Sequence, residues 1–88
     1  MVSKKVQIIN ATGLHLRPAG VLCDTAIQFK SEVKIKKGTV ESNAKSLLGV
    51  LGARIKSGDE IEIICRGEDE EQALAAVAAA IESGLGDA

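Results

Sequence analysis

With 88 residues, 45% hydrophobic and 26% charged, the chain has material for one domain, residues 1–88, built on a small core. A domain of this size buries only about 60–65% of its unfolded surface, which argues against a deep pocket for a dinucleotide or drug-sized ligand. Eleven basic residues against twelve acidic ones, with Phe29 the sole Phe, Tyr or Trp, leave no nucleic-acid footprint and no stacking platform for single strands.

Lys4–Ile9 carries the β-branched residues Val6, Ile8 and Ile9 and is predicted to be a strand. Asn10-Ala11-Thr12-Gly13 is a polar break. Ala19, Leu22, Cys23, Ala26 and Ile27 recur at helical spacing, which predicts a helix from His15 or Leu16 to Gln28. In Glu32–Lys37, Val33 and Ile35 alternate with lysines, the period-two pattern of a half-buried strand. Lys37-Gly38 turns it into a short return strand near Thr39–Ser42. Leu47, Leu48, Val50 and Leu51 predict a short helix after Ser46, and Lys56-Ser57-Gly58-Asp59 is a turn signal. Glu60–Arg66 alternates Ile61, Ile63 and Cys65 with other residues as a fourth strand. After Gly67, the acidic run Glu68–Glu71 complements the positive end of a last helix. Its stripe is Leu74, Val77, Ala78 and Ile81, and Gly84 and Gly86 stop it.

The order is βαββαβα, and the strands carry one apolar and one polar face. This predicts an α+β open-faced sandwich, a four-stranded antiparallel sheet covered on one face by three helices. Met1–Lys5 has no apolar run behind its lysines, and Ala73–Ile81 is too short to span a bilayer. The expectation is a cytoplasmic monomer without membrane insertion. Two cysteines, Cys23 and Cys65, read as reduced, largely buried thiols. With one histidine, Cys and His alone cannot build a tetrahedral zinc site, so neither metal nor cofactor is expected. Lys30, Lys34, Lys36 and Lys37 read as a solvated face.

Most of the chemical information lies in Thr12-Gly13-Leu14-His15-Leu16-Arg17-Pro18-Ala19. Proline suits the first turn of a helix, where amides have no intrahelical partner to lose. Pro18 therefore places His15 at or beside the N-cap, where free N–H groups and the positive helix end converge on an anion. Arg17 adds a fork that fits phosphate oxygens. An imidazole in that setting is a candidate nucleophile toward a phosphoryl group. By itself the pattern also fits a solvated histidine that happens to precede a helix. Cys23 is set aside as a nucleophile beside His15, since the two lie eight residues apart across a helix start.

"TGLHLRPA" around His15 and "NAKSLLGVLG" around Ser46 together resemble HPr, the histidine-containing phosphocarrier of the bacterial sugar phosphotransferase system. The resemblance covers nearly the whole chain. It implies that His15 accepts phosphate at Nδ1 from phosphorylated enzyme I and passes it to IIA units of sugar permeases. It also implies that Arg17 holds the phosphate and that Thr12, Leu16 and Pro18 neighbour it. Leu16 stands where many members have a small or hydroxylated residue, and Gly20 is less usual.

Serine is a favoured N-cap, so a purely structural reading of Ser46 is complete by itself. The resemblance adds a regulatory phosphorylation there by an ATP-dependent HPr serine kinase/phosphorylase, and a catabolite-control transcription factor as a further partner. It implies docking through Leu16, Gly20, Val21, Leu47, Leu48 and Leu51. A short helix cannot bury all of Leu47, Leu48, Val50 and Leu51, so part of that surface should be exposed. Two alternatives stay open beside the sugar carrier: a regulatory co-effector module and the carrier of a nitrogen-related phosphotransfer chain. Members of the co-effector kind lack the active histidine, which His15 speaks against. No Walker-type loop is present, so self-phosphorylation from ATP is not expected, and the resemblance implies a stoichiometric carrier rather than an enzyme.

Overall fold

The computed structural model describes residues 1–86. In chain order it contains β1 (Val2–Gln7), α1 (Leu16–Ala26), β2 (Glu32–Lys37), β3 (Val40–Asn43), α2 (Leu47–Gly52), β4 (Glu60–Arg66) and α3 (Glu70–Glu82). The strands form one antiparallel sheet in the order β1-β4-β2-β3. Its register aligns Val6 with Ile61, Ile35 with Ile63 and Val33 with Cys65, all buried on one face. The period-two pattern thus puts every apolar strand residue of this set on the side where α1 and α3 pack. From the helices, Ala19, Leu22 and Ala26 of α1 and Ala73, Val77, Ala78 and Ile81 of α3 complete the core. No helix among the described residues is long and apolar enough to cross a membrane.

Strands β2 and β4 have the expected bounds and α2 starts after Ser46 as expected, while β1, α1, β3 and α3 shift for identifiable reasons. Strand β1 runs Val2–Gln7 rather than Lys4–Ile9, because Val2 and Ser3 pair with Cys65 and Ile64 on β4. Ile8 stays buried beyond the strand, its N–H donating to Asp59 O at 2.9 Å. Helix α1 ends at Ala26, not Gln28, as the amides of Gln28 and Phe29 tighten onto Thr25 O and Ala26 O. Ile27 is consequently exposed instead of buried. In the β2–β3 hairpin Lys37 pairs with Val40, so Gly38 and Thr39 form the turn and β3 starts one residue later than expected. Glu68 lies outside α3, and Ala73 takes the core position expected for Leu74, which is only half-buried near β1. Past α3, Leu85 turns back into the core at 1% exposure.

A clasp that sequence patterning did not suggest joins the turn before β2 to the start of α3. The Asp69 carboxylate accepts from Lys30 N at 3.0 Å, from Ser31 N at 2.9 Å and from the Ser31 hydroxyl. The Ser31 hydroxyl accepts in return from Asp69 N at 3.2 Å. Gly67 admits this contact, since a Cβ there would sit 2.7 Å from Ser31 Oγ. The Ser31 hydroxyl first, then the Lys30 amide, hold the Asp69 carboxyl down at about 2, against an ordinary value of 3.8. A folded-state value below the unfolded one contributes stability above the unfolded value and loses it as pH falls through the folded one. The expected result is a thermal midpoint that drops between about pH 4 and pH 2. Asp69→Asn should start lower at neutral pH and show a shallower drop, which melting curves at stepped pH measure. Glu70, also held low by the Gly67 amide, keeps that slope from vanishing.

Candidate functional site

His15 is the N-cap of α1, in extended conformation (φ −80°, ψ −174°), and its carbonyl accepts from Ala19 N at 2.9 Å. Its side chain makes no capping hydrogen bond and is exposed, as are Leu16 and Arg17. Pro18, the third helical residue, is buried and carries no N–H, so its part is to shape the turn rather than to donate to an anion. The amides of Leu16 and Arg17 belong to the first turn, where helical geometry supplies no carbonyl partner. That turn holds no acidic residue, and none precedes Asp24 in the sequence. An exposed imidazole, a guanidinium and a positive helix end therefore share one small surface, a setting that favours a phosphoryl group.

The loop into this helix is held from below. Asn10 Nδ2 donates to Gly13 O, Gly13 N to Asn10 O at 3.1 Å, and Leu14 N to Ile55 O at 3.0 Å. Gly13 has φ +71°, and a Cβ on it would lie 2.7 Å from Ile55 O, so only glycine permits this approach. Leu14 is buried at 4% exposure, and Pro18 and Ala19 are buried on the far side of His15. The histidine backbone is thereby fixed on both flanks while its ring stays accessible. Thr12 sits exposed in the turn. Asn10 Oδ1 is buried with no hydrogen-bond partner. Sequence reading treated Asn10 only as part of a polar break; its signal was an Asn three residues before Gly13, the spacing of a turn closed by an amide side chain.

Ser46 caps α2, its hydroxyl accepting from Gly49 N at 3.1 Å. Of the apolar residues that follow, Val50 is fully buried, Leu47 and Leu51 are half-buried, and Leu48 is 83% exposed. Leu16 is 64% exposed, while Gly20 and Val21 are half-buried. Because α1 and α2 pack together, these residues lie on neighbouring helices. Cys23 is half-buried rather than buried, and its thiol donates to Lys45 O at 3.0 Å, tying α1 to the approach of Ser46. Cys65 is a free thiol in the core, and burial pushes its value up.

The lysine group divides. Lys30 and Lys34 form exposed pairs with Glu68, Glu32 and Glu41. Lys37 instead braces the loop beneath His15: its Nζ lies 2.7 Å from Asp59 and donates to Arg54 O at 3.3 Å. The Lys37 ammonium on the Asp59 carboxylate, followed by a hydrogen bond from Lys56 N, holds that carboxyl below its ordinary value.

Residues 2–83 match the family model described as PTS HPr component phosphorylation site. The chain is 38% identical over 77 residues to phosphocarrier protein HPr of Treponema pallidum, 88% of each chain. It superposes on HPr-C-His of Thermoanaerobacter tengcongensis with a TM-score of 0.95 at 35% identity, covering 100% of this chain and 99% of that one. The structure of Crh, the catabolite repression HPr of Bacillus subtilis, described as a dimer with a swapping domain, matches with a TM-score of 0.77 at 37% identity. That match covers 96% of this chain and 97% of the other. Fold, sequence and the segment around the capping histidine agree: the chain belongs to the HPr family of the phosphotransferase system.

Proposed function

We propose that this chain is a phosphocarrier that accepts a phosphoryl group on His15 from phosphorylated enzyme I and delivers it to IIA units of sugar permeases. The observation that carries the reading is the exposed His15 imidazole at the N-cap of α1, beside Arg17, on a loop clamped to Ile55. In the accepting step a ring nitrogen attacks phosphorus. The N–P bond to His15 forms as the bond to the donor breaks, and the donor retains its electron pair. The Arg17 guanidinium and the Leu16 and Arg17 amides face the charge on the three phosphoryl oxygens. Delivery is the same step in reverse, so the chain acts stoichiometrically, without metal or cofactor, as a cytoplasmic monomer. Incubation with phosphoenolpyruvate and enzyme I, followed by intact mass, tests it: one phosphoryl group should appear. No mass change would overturn the reading.

Regulation through Ser46 by a serine kinase/phosphorylase is the second part of the proposal. It is supported by the place of Ser46 as the cap of α2, the helix that carries Leu47, Leu48 and Leu51. Phosphate there adds about −1.5 to −2 charges next to a docking surface. At a helix N-terminus such charge is tolerated, so the thermal midpoint of the phosphorylated form should hold or rise slightly. Transfer from enzyme I should show a raised KM, because the charge must be desolvated or repelled at the partner's surface. The effect should weaken with salt, which screens exposed charges beyond about 8–10 Å at moderate ionic strength. Kinetics at two salt concentrations and a melting curve check it; Ser46→Asp should act in the same direction, less strongly.

A further inference from the structure

Among the described residues, Asn10 and Ser31 are the polar residues buried in the interior, at 5% and 2% exposure. Ser31 is satisfied by Asp69, its hydroxyl donating to the carboxylate and accepting from the amide. Asn10 is satisfied at one end only. Its Nδ2 donates to Gly13 O, whereas Oδ1 is buried with no hydrogen-bond partner. Turning the amide over would set two oxygens against each other, so the Gly13 bond fixes which way it points. A buried amide with an unpaired oxygen costs stability, which offsets much of what the bond to Gly13 contributes. What remains is a constraint on geometry.

That constraint falls on the peptide unit ahead of His15. The Gly13–Leu14 peptide has its carbonyl held by Asn10 Nδ2 and its N–H held by Ile55 O at 3.0 Å. Pinned at both poles, this plane cannot rotate without breaking one of the two hydrogen bonds. Gly13 N also donates to Asn10 O at 3.1 Å, so the side chain and backbone of Asn10 close the same turn. Gly13, at φ +71°, has a wide choice of backbone conformations, and the two bonds restrict it to one. Leu14, buried at 4% exposure, carries the constraint into His15, whose backbone sets the direction of the exposed ring.

On the reading that His15 is the phosphoryl acceptor, we infer that Asn10 is a positioning residue for phosphoryl transfer: by fixing the Gly13–Leu14 peptide, its amide aims the imidazole at the incoming phosphorus. Asn10 is buried and out of reach of a docking protein. Its loss should therefore lower the transfer rate at saturation and leave the half-saturating concentration alone. The test is single-turnover transfer from isolated phosphorylated enzyme I over a concentration series, with each variant assayed well below its own thermal midpoint. Asn10→Leu keeps the branched shape and removes the donor together with the unpaired oxygen. Its midpoint should stay near the wild-type value while the saturating rate falls about five- to thirtyfold, within the roughly hundredfold that an ångström of misplacement costs. Asn10→Asp has the same shape and offers only acceptors, so it should transfer at least as slowly. Hydrogen exchange at Leu14 N–H should speed up in both. Should Asn10→Leu fail to fold, Asn10→Ala removes the donor without added bulk and carries the same comparison.

A purely structural clamp would show faster exchange at Leu14, or a lower midpoint, with an unchanged saturating rate. That result overturns the inference. A loss expressed only in the half-saturating concentration overturns it too, since it would assign Asn10 to docking rather than to aim. In both cases the wild-type protein still takes up its phosphoryl group and the functional reading stands. If the wild-type protein takes up none, both fall.

Discussion

His15→Ala is expected to take up no phosphoryl group from phosphoenolpyruvate and enzyme I, a loss to background. His15 is the one histidine of the sequence, so no second imidazole can substitute. The wild-type label should disappear in mild acid and survive alkali. Protonation of the remaining ring nitrogen turns the imidazole into a good leaving group, whereas a phosphoester on Ser46 withstands acid. Stability should change little, because the ring is exposed and buries little apolar surface. Histidine and alanine are both poor N-caps, so the exchange forfeits little there. Intact mass before and after acid, with a melting curve of the variant, checks all three points. A label that survives acid, or that persists in His15→Ala, would exclude His15 as the acceptor.

The second large effect belongs to Arg17. It is exposed in the first turn of α1, where no carboxylate competes for its guanidinium. Losing a charge-assisted contact to the phosphoryl oxygens is worth about 1.5–3 kcal/mol, or roughly ten- to a hundredfold in transfer rate if it applies fully in the transition state. Arg17→Ala should therefore transfer that much more slowly while melting like the wild type. Arg17→Lys should recover part of the rate, since it keeps the charge and loses the planar fork. Rapid-quench transfer kinetics measure it, and an unchanged rate in Arg17→Ala would remove the residue from the mechanism.

These two predictions separate chemistry from folding because of how the site is built. Its reactive side chains are exposed, and the groups that fix them are buried one or two residues away. Leu14, Pro18 and Ala19 hold the backbone, while His15, Leu16 and Arg17 project from it. Changing a projecting side chain costs little packing. Changing Gly13 would cost both, since an added Cβ meets Ile55 O at 2.7 Å and the backbone there is left-handed.

Local signals in the sequence were enough to place β2 and β4 to the residue, to start α2 after Ser46, and to set His15 at the entrance of α1. Each rests on something read within a few neighbours: a period of two, a capping hydroxyl, or a proline confined to a first turn. The candidate site was legible for the same reason, since its helix end, histidine and arginine are contiguous in the chain. Tertiary structure decided what contiguity cannot encode. Asp69 holds Ser31 across 38 residues, and Ile55 clamps the loop ahead of His15 from a distant segment. Ala73 rather than Leu74 faces the core because the rotation of α3 is set by the sheet it packs on. Backbone hydrogen bonds and helix rotation depend on which segments meet, and that is settled by burying the apolar faces together.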